Sequence, residues 1–330
     1  MPLSTRPFSR TGRIPTAIGF GAWAIGGTWG EVTDTQAQDA LNAALDAGMT
    51  FIDTADVYGD GRSERRIAEV LKTRPGPRPF VATKAGRRLN PHTPAGYTQA
   101  NLAAFVDRSR TNLQMDRLDL LQLHCPPTPV YSMQSVYDAL DTLKAQGKIA
   151  NYGVSVERID EAMTAIQHPG VTSVQIIYNL FRQRPADQFF AAAKAANVAV
   201  IARVPLASGL LTGKMSATSQ FAADDHRSFN RNGEYFDKGE TFSGVPFDVA
   251  LQAVEELRPL VPAGVTMAAF ALRWILMADA ISVVIPGAKS DAQASANAAA
   301  DALPPIDAAT MAKARDIYQR LIAPHVAHLW

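Results

Sequence analysis

The sequence predicts an α/β fold: a closed (β/α)8 barrel of the TIM type, with an N-terminal hairpin and a long loop after strand 7. Three observations predict it. Apolar runs of strand length alternate with amphipathic stretches, the pattern of a parallel sheet wound with helices. There are eight such runs, the number that closes this kind of barrel. Polar residues (Asp53, Lys84 and His124) end three consecutive runs, with Tyr58 just beyond the first of them. In such a barrel all strand C-termini open onto one face, so residues far apart in sequence converge there.

The strands are expected at 18–20, 51–53, 80–84, 118–124, 151–154, 173–177, 198–204 and 282–285. Helix start and stop signals fill the intervals. Thr33 or Asp34 can cap a helix through Leu45 that stops at Gly48, and Ser63 precedes Glu64 and a helix ending before Pro75. A third helix, 133–146, carries Val136, Leu140 and Leu143 on one side and stops at Gly147. Two segments fall outside the repeat. Residues 6–14, centred on Thr11-Gly12, read as a short hairpin that could plug the barrel's N-terminal end. Residues 208–246 form a long connection, and connections of that length are usually functional. With no linker and no repeat beyond the βα alternation, residues 1–330 are expected to form one domain.

Composition narrows the function. The chain has 330 residues, 47% hydrophobic and 19% charged, which describes an ordinary protein with a large core. A formal net charge of +1 gives no reason to expect nucleic acid or an anionic membrane as partner. Cys125 is the only cysteine, which leaves no disulfide and no CxxC metal or redox motif. The first residues carry no apolar signal core, and the apolar stretch 260–286 is broken by Pro262, Gly264, Arg273 and Asp279. The expectation is a soluble, cytoplasmic protein acting on a small molecule, without a metal. The run from Gly19 to Gly27 superficially looks like a dinucleotide-binding glycine loop. Its third glycine is misplaced and no helix start follows, so that reading is rejected.

Several pieces, in order along the chain, carry a resemblance. They are Gly48 to Gly59 followed by Ser63-Glu64, then Thr83-Lys84, Leu121-Gln122-Leu123-His124 and Gly153-Val154-Ser155. Further along come Val174 to Asn179, Pro205-Leu206 through Lys214, and Ile285-Pro286-Gly287 through Asn297. Together they resemble the aldo-keto reductases, and the likeness spans Gly12 to Asn297. The resemblance implies an NAD(P)H-dependent carbonyl reductase. Tyr58 would donate a proton to the oxygen of an aldehyde or ketone as hydride arrives at carbon. An unperturbed phenol, with pKa about 10, is a poor acid near neutrality. A buried ammonium at Lys84 would lower that value, Asp53 would be its counter-ion, and His124 would hydrogen-bond and orient the carbonyl. Singly, each residue has a plainer reading, as a cap, a turn, a solvated strand end or a core histidine. Placed together at three consecutive strand ends, they favour catalysis.

The resemblance also implies cofactor contacts. Ser155 and Gln175 would hold the nicotinamide carboxamide, although Val156 stands where relatives often have Asn. Arg203 replaces an aromatic that stacks on the nicotinamide in many relatives; it could stack there itself, pair with Asp53, or meet phosphate. Pro205, Leu206, Ser208, Gly209, Leu211 and Lys214 belong to a pyrophosphate-contacting stretch. Gly287 and Gln293 stand where many relatives carry Lys and Arg; Lys289 can still reach a 2′-phosphate, and Gln293 and Asn297 could bind adenine. NADPH is therefore favoured, with NADH possible. Trp23 and Trp29 would shape a substrate pocket, and the loop around His226, Arg227 and Phe236 could close over the cofactor. Two other functions compete. One is a cofactor-binding regulatory protein like the potassium-channel β subunits, which His124 argues against. The other is a Schiff-base aldolase using Lys84.

Overall fold

In a computed structural model, which describes residues 2–27 and 29–330, eight parallel strands follow one another around a single sheet. They are β1 (Phe20–Gly21), β2 (Phe51–Asp53), β3 (Phe80–Ala85), β4 (Leu118–His124), β5 (Ile149–Ser155), β6 (Val171–Ile177), β7 (Ala199–Arg203) and β8 (Ile281–Val284). The sheet closes on itself through parallel bridges from Ile18 to Val284 and from Gly21 to Gly287. Every expected strand is present. The first is displaced towards Gly21 because residues 17–19 run beside β8, where Val284 N donates to Ala17 O and Gly19 N to Val284 O.

The helices begin where local chemistry dictates. Thr33 caps Asp34–Asp46 in a reciprocal box, accepting from Gln36 N at 3.2 Å while Gln36 Oε1 accepts from Thr33 N at 2.9 Å. The next helix, Arg62–Thr73, starts one residue before Ser63 because Gly61, at φ 81°, turns the chain into it.

The barrel interior changes character along its axis. Towards the N-terminal end, Phe51, Phe80, Ala82, Leu120, Ala199, Ile201 and Val283 fill it. The N-terminal hairpin, held by Phe8 N→Arg13 O at 2.9 Å and Arg6 N→Pro15 O at 3.0 Å, inserts Phe8 there. Its ring packs 5.5 Å from Phe51 and 5.3 Å from Phe80, so the hairpin is the expected plug. Side chains alternate across a strand, so the residues one step up on the same face line the mouth. These are Asp53, Lys84, Gln122, His124, Ser155, Gln175 and Arg203, all buried.

The long connection after β7 is ordered by short turns, Ala207–Thr212, His226–Phe229, Lys238–Glu240 and Phe242–Gly244. It folds back onto the mouth, burying His226, Glu240 and Phe242. Trp330 pins it from outside: the indole nitrogen donates to Asp237 at 3.0 Å, and Arg182 lies 3.9 Å over the ring. Among the described residues, no helix is long and apolar enough to cross a membrane.

Candidate active site

Lys84 is the hub. Its ammonium donates to Asp53 Oδ1 at 2.5 Å, to Thr54 O at 3.0 Å and to Tyr58 Oη at 3.1 Å. An ammonium has three protons, and here each has an acceptor. Asp53 Oδ2 is shared by two amides, Gln122 Nε2 at 3.0 Å and Gln175 Nε2 at 2.8 Å. The buried ion pair thus has its remaining valences satisfied, the condition under which such a pair survives away from water. Tyr58 is brought to Lys84 by a tight turn. Gly59, at φ 60°, passes so close to Gly26 that a Cβ there would lie 1.9 Å from Gly26 O. His124 presents its ring edge-on to Tyr58, with centroids 5.8 Å apart. The four expected catalytic side chains therefore converge.

The electrostatics differ from the expectation in one respect. Burial raises the Tyr58 phenol above its ordinary pKa; Lys84 pulls it down, but less strongly, and Asp53 adds to the rise. The expected lowering by the ammonium is present and is outweighed, because the phenolate would have to form where little water reaches it. Burial also works against the Lys84 ammonium, yet Asp53 and Tyr58 overcome it and hold its pKa above the usual lysine value. Burial, followed by Arg87, Lys84 and Arg203, pushes His124 well below the usual imidazole range. His124 is thus neutral, and its buried Nδ1 has no hydrogen-bond partner among the described residues.

Trp23 stacks on Tyr58, with centroids 5.9 Å apart and planes 17° apart, and Trp29 meets Trp23 edge-on. Both tryptophans therefore stand at the mouth. The loop adds His226, 4.7 Å from Trp23 and 4.4 Å from Trp29, and Phe236, 5.9 Å from Trp23.

Of the alternatives open for Arg203, the pairing with Asp53 is not made. Arg203 pairs with Glu157 at 2.6 Å and Glu240 at 3.5 Å and donates to Val156 O at 3.0 Å. Arg87 completes a largely buried quartet, in which Arg203 and Glu240 are buried and Arg87 and Glu157 half-buried; it contacts Glu157 at 3.0 Å and both oxygens of Glu240. Burial, with Glu240 beside it, pushes the Glu157 carboxyl up to about 7, whereas Arg87 and Arg203 overcome burial and hold Glu240 well below the usual range. Cys125, Glu157 and Glu240 converge within 4.8 Å, a spacing a cation could use, but the two guanidiniums already neutralise the carboxylates.

The expected cofactor residues fall into two groups. Ser155 lies across from both His124 and Gln175 in the strand register. Gln175 has its amide nitrogen engaged by Asp53, so a nicotinamide contact would draw on the other end of that amide. Around β7, Val204, Ala207, Ser208 and Gly209 all adopt left-handed φ, between 45° and 98°. Pro205 is buried, Leu206 and Gly209 are half-buried, and Leu211 is buried in the same turn. The Ser208 hydroxyl accepts from Phe242 N and donates to Glu240 O, both at 3.0 Å, so it anchors the loop. Lys214 is exposed beyond that turn. At the far side, Ser290 caps the helix Asp291–Ala299, Gln293 Oε1 accepts from Lys289 N at 2.8 Å, and Asn297 donates to Gly287 O at 3.2 Å. The Lys289 ammonium donates to Trp29 O, and burial together with Arg227 lowers its pKa. A half-buried cation beside a helix N-terminus and a second cation fits the phosphate of a dinucleotide.

Sequence reasoning passed over Gln122, Arg87, Glu157 and Glu240. Gln122 had a signal: it stands two residues before His124, and alternate strand residues share a face. Glu240 had none, because nothing local tells a loop glutamate that two strand-end arginines await it.

Comparison with known proteins agrees with this geometry. The model of the aldo/keto reductase family matches residues 17–319. The chain is 32% identical to aldo-keto reductase YhdN of Bacillus subtilis over 292 residues, 87% of this chain and 85% of that protein. It is 27% identical to the NADP(+) aldo-keto reductase yakc of Schizosaccharomyces pombe, covering 83% of this chain and 80% of the relative. A solved glycerol dehydrogenase from Gluconobacter oxydans, 28% identical, superposes with a TM-score of 0.76 over 98% of this chain and 96% of its own. With eight strands closing a barrel and Asp53, Lys84, Tyr58 and His124 gathered at its mouth, the chain belongs to the aldo/keto reductase family of oxidoreductases.

Proposed function

We propose that this chain reduces an aldehyde or ketone to the alcohol, with NADPH as the favoured cofactor and Tyr58 as the general acid. The observation that carries the reading is the Lys84 ammonium in simultaneous contact with Asp53 and Tyr58. NADPH, when bound, supplies the hydride. The residues of the chain manage the proton and the charge. A phenol held above its ordinary pKa keeps its proton until negative charge grows on the carbonyl oxygen. As the proton leaves, Lys84 faces the developing phenolate and stabilises it. His124, kept neutral by burial and by three neighbouring cations, can donate to the carbonyl oxygen without itself losing or gaining a charge. Trp23 and Trp29, with His226 and Phe236, present an apolar wall that orients the substrate and excludes water.

Ser155, Gln175, the turn at 205–214 and the helix start at Lys289 and Ser290 are the residues we assign to the cofactor, with Gln293 and Asn297 towards the adenine. The preference for NADPH is supported by Lys289 and by the NADP(+) in the name of the yeast relative. Lys84 argues against a Schiff-base aldolase: a lysine held charged with three acceptors is no nucleophile. The test is the rate of NADPH and NADH oxidation with panels of aldehydes, ketones and sugars. Saturable NADPH oxidation is expected; tight cofactor binding without oxidation of any carbonyl substrate would point to a regulatory binder instead.

A further inference from the structure

One polar side chain in the upper layer of the barrel has no role in the chemistry above. Gln122 is the direct register partner of Lys84 across β3 and β4. It is fully buried, on the same inward face as His124. Its Nε2 lies 3.0 Å from Asp53 Oδ2, and its Oε1 lies 3.3 Å from Gln175 Nε2. A carboxylate oxygen only accepts, so Asp53 dictates which end of each amide faces it. The layer below is apolar, with Leu120 at the preceding inward position of β4. An apolar residue at 122 would therefore pack, and burying an amide here has to be explained by what it touches.

We propose that Gln122 is a positioning residue that keeps the Lys84 ammonium on Tyr58. The argument is one of proton counting. Lys84 gives its three protons to Asp53 Oδ1, Thr54 O and Tyr58 Oη. Asp53 Oδ2 is the strongest competing acceptor within reach, and the Gln122 and Gln175 amides occupy it. Without Gln122, Oδ2 regains a lone pair and concentrates charge. The ammonium then swings towards a two-oxygen grip on Asp53, and the proton that meets Tyr58 is the one withdrawn. Tyr58 loses the interaction that opposes its burial, so its proton comes off at higher pH. This inference rests on Tyr58 being the acid.

The test uses Gln122→Met, which keeps length and removes the donor. A second variant, Gln122→Asn, keeps an amide but draws it one methylene back from Asp53. Two readouts are taken on each: the pH dependence of kcat for carbonyl reduction, and an ultraviolet difference titration of the Tyr58 phenol against a Tyr58→Phe background. We expect kcat near neutrality to fall about tenfold, the rate equivalent of one modest hydrogen bond. The alkaline limb and the phenol titration should both move up by roughly half a unit or more in Gln122→Met, within what a nearby charge does. The shift should be smaller in Gln122→Asn, and NADPH affinity should be unchanged in both. A limb and a titration that stay put overturn the proposal, whatever happens to kcat or to thermal stability. If Gln122→Met does not fold, the Asn variant decides alone. A wild type that reduces no carbonyl would overturn the functional reading, while the phenol titration still judges Gln122.

Discussion

Two charged clusters meet at the mouth of this barrel, and they are built in opposite ways. The Asp53–Lys84–Gln122–Gln175 cluster comes entirely from strands β2, β3, β4 and β6. One cation balances one anion, and amides fill the remaining valences. The Arg87–Glu157–Arg203–Glu240 cluster takes three members from strand ends and their following residues, and the fourth from the long loop. Two cations face two carboxyls there, and one carboxyl is pushed up to about 7. The first cluster is fixed by the sheet alone and holds the groups to which the proposed function gives the chemistry. The second is complete only while the loop lies on the mouth, because Glu240 comes from the loop, so it couples the loop to the barrel. On the proposed function, the chemistry stands on strands and the cover over the mouth is a loop, the division expected of barrel enzymes.

The sharpest way to separate the two clusters is to remove the proton donor from the first. Tyr58→Phe keeps the stacked ring under Trp23 and should lower kcat by at least the ~10²–10⁴-fold of a lost general acid, with cofactor affinity unchanged. Retention of more than about a tenth of wild-type kcat, measured at saturating cofactor, would reject Tyr58 as the acid.

Next in size is the ion pair itself. Lys84→Met strands the Asp53 carboxylate in the barrel and should cost about 3–5 kcal/mol of stability, the scale of breaking a buried pair, along with the activity. Adding Asp53→Asn should restore part of the stability and none of the activity. Strictly additive losses in that cycle, read by denaturant unfolding, would mean the two side chains do not interact.

A third test uses pH. Asp56 is buried just behind this cluster, neither carboxylate oxygen has a hydrogen-bond partner among the described residues, and burial, then Glu64, raises its pKa to about 7 from 3.8. The folded state therefore binds this proton more tightly than the unfolded chain. Its contribution to stability is favourable at low pH and is lost as pH rises from about 4 to 7. Between pH 5 and 8 that loss is on the order of 2–3 kcal/mol at 1.36 kcal/mol per unit. Asp56→Asn should raise the Tm clearly more at pH 8 than at pH 5, because most of the loss accrues above pH 5. An equal change in Tm at both pH values would show that Asp56 does not titrate in this window.

At the cofactor end, Lys289→Ala should weaken NADPH by roughly 1.5–3 kcal/mol, as for a charge-assisted hydrogen bond, and barely touch NADH. Isothermal titration with both cofactors distinguishes this from a general loosening, which would weaken them equally and shift attention to Arg227 or Lys214.

The smallest effect is expected in the loop cluster. Glu240→Gln removes one of two carboxylates, but Glu157, already poised near 7, can ionise and take over both arginines. Cofactor release, followed by stopped-flow fluorescence, should quicken by only about three- to tenfold, under 1.4 kcal/mol, with the chemical step unaltered. A collapse of the chemical step would mean that the two clusters act as one.

The convergence of Asp53, Tyr58, Lys84 and His124 was legible in the sequence because each sits at, or within five residues of, the end of an apolar run, and a parallel barrel sends all such ends to one face. The N-terminal plug was legible for a similar reason, since Thr11-Gly12 marks its turn. Periodicity alone also held the clue to Gln122, two residues before His124. Tertiary structure decided the rest. The direction of the Tyr58 shift depends on how much water the fold removes, which no spacing encodes. One partner of Arg203, Glu240, lies 37 positions away in a loop without regular pattern. Sequence determines what recurs with the period of a strand or a helix; contacts made by an irregular loop, and the desolvation they cause, exist only once the chain has closed on itself.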